Sequence, residues 1–151
     1  MAPPGVAQSK GGVFKPSLSS PQWQIFLYLH AYYMAALILA EFLIYIWKVS
    51  ILPYPDGIIV FDVVLLLLIG LMEVGRIFWG MKGNLTERRL ACFISIAMSV
   101  TSLCGALYFV LWQTYVLMLE FILLAIHMSF VVLETIFGIV TFSGILKSVP
   151  P

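Results

Sequence analysis

Charge is scarce in this sequence. Only 10% of its 151 residues are Asp, Glu, Lys or Arg, and eight basic against seven acidic residues leave a net charge of +1. That balance gives no field to attract a nucleic acid. Cysteine is nearly absent as well. Cys92 and Cys104 lie twelve residues apart in one apolar segment, roughly 18 Å along a helix, so they cannot join each other in a disulfide and read as buried reduced thiols. The two cysteines and two histidines form no metal-ligand spacing. There is no Gly-x-Ser-x-Gly, no His-Glu-x-x-His, no P-loop and no long polar loop to hold a substrate, so nothing indicates an enzyme or a cofactor. The first 21 residues lack the apolar core of a cleavable signal, Ala2 stands where N-myristoylation needs Gly, and the tail from Lys147 to Pro151 has no prenylation cysteine.

What the chain has is hydrocarbon. It is 62% hydrophobic with a mean hydropathy of +1.07, outside the range of an ordinary soluble domain. We expect an all-α membrane protein, a four-helix antiparallel transmembrane bundle with short loops. The spans are expected at about 23–47, 58–79, 90–111 and 115–142. Residues 1–21, rich in Pro, Gly, Ser and Lys, read as a disordered tail, and 143–151 as a short one. The third span has no charge but many small residues, including Ala91, Ser95, Ser99, Ser102, Gly105 and Ala106, which allow close helix approach in lipid.

Four spans put both termini on one side. Lys10, Lys15, Lys82, Arg88, Arg89 and Lys147 fall on that side, and the loops opposite hold only Lys48, so the positive-inside rule assigns both termini to the cytosol. The basic loop residues Lys82, Arg88 and Arg89 would then meet anionic lipid headgroups. The sequon Asn84-Leu85-Thr86 lies in the same loop and is read as unused.

The few charges sit where lipid should reject them, so they must face protein. On the second helix Asp62 and Glu73 share a face, and Arg76 follows Glu73 by three residues. On the fourth, Gln113, Glu120, His127, Glu134 and Thr141 recur every seven residues and form one polar stripe. The first repeats the idea with His30, Glu41 and Lys48. By helical rise, His30, Glu73, Arg76 and Glu134 fall in the cytosolic half. Glu41, Asp62 and Glu120 fall in the outer half, with His127 near the middle. We expect Arg76 to be shared by Glu73 and Glu134. Glu41, Asp62, Glu120 and His127 form a second polar set. Helix-packing glue is the preferred reading of these stripes. The alternative is a small oligomeric ion or proton channel subunit, with the outer acids and central His127 as a relay.

The series Leu52-Pro53-Tyr54-Pro55, Asp62-Val63-Val64, Glu73-Val74-x-Arg76, Gly80-x-Lys82-Gly83-Asn84-Leu85 and Gln113-Thr114-Tyr115-Val116-Leu117-x-Leu119-Glu120 resembles the tetraspan family of transmembrane proteins 216, 17 and 80. The similarity covers about 22–142. The run from Gln113 is nearest to the 216 branch, and Gly-Asn-Leu-Thr-Glu to the 80 branch. The resemblance implies a non-enzymatic structural protein of the ciliary transition zone. Its partners would be Meckel syndrome and tectonic-type membrane proteins, in an assembly that limits exchange between cilium and plasma membrane and supports ciliogenesis. Homo- or hetero-oligomers fit such a role. Val149-Pro150-Pro151 also fits a short Val-x-Pro pattern associated with ciliary delivery, a three-residue match that is common by chance.

Overall fold

The computed structural model describes residues 18–53, 55 and 57–148. The expected N-terminal tail, apart from Leu18 to Pro21, and the Val149-Pro150-Pro151 pattern lie outside them. Four helices account for nearly all of the described chain: α1 (Pro21–Ile51), α2 (Ile58–Thr86), α3 (Arg89–Leu111) and α4 (Met118–Lys147). All four are long and apolar enough to cross a membrane, with mean hydropathies from 1.8 to 2.6. This is a four-span, all-α membrane protein.

Local chemistry sets the ends. Ser20 caps α1 by accepting from the Trp23 amide, and Pro21 occupies the first turn, where its missing N–H costs nothing. The helix ends at Ile51, just ahead of Leu52 and Pro53, because proline disfavours helical backbone in the residue before it. Glu87 stops α2 by taking the left-handed conformation at φ 50°. Glu120 accepts from the Leu117 amide at 3.0 Å and so closes the start of α4.

Helix α2 runs on through Gly80, Gly83 and Asn84, residues that read in the sequence as a connecting loop. Its glycines are there for closeness rather than for turning. A methyl group on Gly83 would stand 2.7 Å from the Cys92 backbone nitrogen and 3.0 Å from the Ala91 carbonyl carbon, so the backbones of α2 and α3 touch. Gly83→Ala should therefore destabilise the bundle by about 1–3 kcal/mol, the usual cost of overpacking, because backbone cannot swing aside. Unfolding of the purified protein in mixed micelles would measure it, and an unchanged midpoint would contradict the contact.

The helices alternate in direction around a ring, α1 beside α2, α2 beside α3, α3 beside α4 and α4 beside α1, with α1 and α3 at opposite corners. At one end, the Ser20 amide donates to Asn84 Oδ1 and Asn84 Nδ2 donates to the Ser20 carbonyl, both at 2.8 Å, while the Leu18 amide donates to Glu87 Oε1. The sequon asparagine is thus buried and fully engaged. At the other end Gln113 Nε2 donates to the Tyr45 hydroxyl. Outward faces are apolar and exposed, as at Leu71 and Leu90, which suits lipid rather than water. Cys92 is buried as expected, but Cys104 is exposed on the outer face of α3. It lies twelve residues farther along, and twelve is not a whole number of turns at 3.6 residues each.

Candidate functional site

The buried interior is polar. His30, Glu41 and Lys48 from α1, Asp62, Glu73 and Arg76 from α2, and Glu120, His127 and Glu134 from α4 are all between 0% and 2% exposed. Helix α3 contributes hydroxyls, Ser95, Ser99 and Ser102. These groups fall into two layers and one side pair.

The layer nearer the termini is centred on Arg76. Its guanidinium donates to Glu73 Oε2 at 2.9 Å and to Glu134 Oε2 at 2.7 Å, tying α2 to α4. His30 enters from α1, with Nδ1 3.0 Å from both oxygens of Glu134 and 2.8 Å from Arg76 Nη2. Its Nε2 is 3.0 Å from His127 Nδ1. The far nitrogen of His127 lies 3.4 Å from Ser102 Oγ and 3.8 Å from Glu73 Oε1. Ser95 donates to the Arg76 carbonyl at 3.0 Å, so all four helices meet here. His30 and His127 were not recognisable as partners from spacing alone.

The second layer centres on Lys48, whose Nζ lies 2.6 Å from both oxygens of Glu120. Glu41 approaches the same pair closely enough for its carboxyl to interact with that of Glu120. Here the sequence expectation needs correction. Lys48 is a fully buried helix residue, not a loop cation, because α1 continues to Ile51 and turns it onto the Glu41 face.

The set Glu41, Asp62, Glu120 and His127 is not one cluster. Glu41 and Glu120 stay together, His127 joins the Arg76 layer, and Asp62 accepts from the Tyr108 hydroxyl at 3.1 Å. Asp62 belongs to the α2–α3 seam.

Comparison with known proteins bears on what this interior serves. A family described as "predicted membrane protein" matches residues 25–131, which takes in both layers except Glu134. Transmembrane protein 216 of Danio rerio is 45% identical over 129 residues, 85% of this chain and 81% of that protein. The chain belongs to the transmembrane protein 216 family. The Homo sapiens member is 38% identical over 144 residues, 95% of this chain and 97% of its own, and the Rattus norvegicus member is 44% identical over 113 residues, 75% and 80% respectively. No solved structure matches the chain.

In this member of the transmembrane protein 216 family, His30, Glu73 and His127 place one ligand atom each within 4.8 Å of one another. The group is a poor metal cage. His30 Nε2 and His127 Nδ1 stand 3.0 Å apart, hydrogen-bond spacing, so these two nitrogens are directed at each other. The Arg76 guanidinium against His30 would also repel a cation. The basic residues expected in a loop lie instead around a tight helix junction, Lys82 within the last turns of α2, Arg88 between the helices and Arg89 at the first residue of α3, because α2 continues to Thr86. Lys82 lies exposed over the Phe78 and Trp79 rings at 5.8 and 5.2 Å, and Arg88 and Arg89 are exposed at the start of α3.

Proposed function

We propose that this chain is a non-enzymatic structural component of the ciliary transition-zone membrane, in an assembly of Meckel syndrome and tectonic-type proteins. Membership of the transmembrane protein 216 family is the observation that carries the reading. The polar interior supports it: the charged layers bind the helices to one another and leave an almost wholly apolar outer surface for neighbouring membrane proteins and lipid. Both termini and the α2–α3 junction with Lys82, Arg88 and Arg89 face the cytosol. Burial of Lys48 leaves no Lys or Arg in either connection at the opposite end, which sharpens the positive-inside asymmetry.

The role is tested by proximity labelling from the full-length chain in ciliated cells. Tectonic-type membrane proteins should dominate the labelled set, concentrated at the ciliary base. A set confined to endoplasmic-reticulum residents would overturn the reading.

A further inference from the structure

The interior does more than join helices. Glu120, His127, Glu134 and Thr141, one heptad stripe on α4, are at most 4% exposed, whereas Gln113, expected on the same stripe, is buried in the connection before α4 begins at Met118. From Glu120 to Thr141 the stripe covers about 31 Å at helical rise, the thickness of bilayer hydrocarbon. Among the described residues, buried atoms without a hydrogen-bond partner occur at successive heights along this column: Gln113 Oε1, Glu41 Oε1, Glu73 Oε1 and Thr141 Oγ1. Such atoms are costly in a dry core and are ordinarily met by water.

Each layer also lacks one positive charge. Glu73 and Glu134 face Arg76, while Glu41 and Glu120 face Lys48. Helix α3 carries no charged side chain beyond Arg89 and adds none to either layer. A proton is the smallest cation that restores balance, and His30 and His127 stand at the spacing of a shared N–H. His30 Nδ1 lies between Glu134, which can only accept, and Arg76 Nη2, which can only donate. Each tautomer therefore satisfies one neighbour, and the two compete.

A cavity links the layers. It measures about 30 Å³ in the volume open to the centre of a water molecule, and Glu41 and His127 are its polar lining among Met34, Leu37, Phe109 and Leu124. A single water needs roughly 10–15 Å³ on that measure.

We propose that the bundle is a proton relay running from Glu41 through cavity water to His127, His30 and Glu134, independent of any role in assembly. The Glu41 O–H breaks as the water takes its proton, and the water gives another to His127 Nε2. His127 Nδ1–H passes to His30 Nε2, and His30 Nδ1–H passes to Glu134. Arg76 Nη2 then donates to the bared His30 Nδ1. One proton moves, both imidazoles end neutral with tautomers reversed, and nothing is oxidised or reduced.

The test uses the full chain in phosphatidylcholine vesicles loaded with a pH-sensitive dye and driven by a potassium diffusion potential. Proton entry should run several-fold faster than in protein-free vesicles and fall to their level with Glu41→Gln or His127→Gln. If His127→Gln does not fold, Glu41→Gln decides, since its amide keeps the shape and can still bond to Glu120. Three results would each overturn the relay: wild-type entry no faster than in empty vesicles, folded variants that conduct like wild type, or stoichiometric Zn²⁺ binding that His127→Gln abolishes.

Discussion

Arg76→Leu should cost the bundle about 3–5 kcal/mol, because it leaves two carboxylates buried with no cation between them. The figure far exceeds an ordinary cross-helix hydrogen bond in a bilayer, which averages about 0.6 kcal/mol. The difference is the desolvation of Glu73 and Glu134, which Arg76 now offsets from 2.9 and 2.7 Å. Removing the acids as well, in Arg76→Leu with Glu73→Leu and Glu134→Leu, should recover much of the lost stability, since a well-packed apolar trio carries no buried charge. Unfolding in mixed micelles measures both proteins. A single variant as stable as wild type would show that Arg76 neutralises nothing.

Lys48→Met is the second large effect, again about 3–5 kcal/mol, through the orphaning of Glu120 and its neighbour Glu41. A lysine at a membrane boundary would behave otherwise: its loss would alter orientation and leave stability nearly unchanged. Reversing the pair, Lys48→Glu with Glu120→Lys, should restore part of the loss. No recovery, together with a stable Lys48→Met, would place Lys48 outside the core.

Those two residues also show how far the sequence could be read. Four spans follow from hydropathy alone, and the heptad on α4 carries its inward face directly, since seven residues drift only about 20° from two full turns. The Glu73–Arg76 spacing is local, so their contact is legible before any fold is known. Lys48 carries two conflicting signals, a headgroup boundary from Trp47-Lys48 and a place on the polar face of α1 from the seven-residue step after Glu41, and the structure follows the second. His30 and His127 carry no such signal. Their meeting depends on the height and rotation of α1 against α4, which no spacing within either helix contains. Gly83 and Asn84 misled for another reason: residues that commonly end helices here permit backbone contact with α3 and a clasp onto Ser20.

The cross-helix ion pairs have a consequence for the order in which the chain is made. Lys48 and Arg76 find their distant acids in Glu120 and Glu134, both on the last helix. While the first three helices emerge, Arg76 has Glu73 alone and His30 has neither Glu134 nor His127. The nascent three-helix intermediate therefore holds Lys48, Arg76 and His30 without their cross-bundle hydrogen-bond partners. Arrival of α4 supplies those acceptors and at the same time brings one carboxylate more than the cations in each layer, so any chain ending before Met118 lacks the cross-helix ties of its own core.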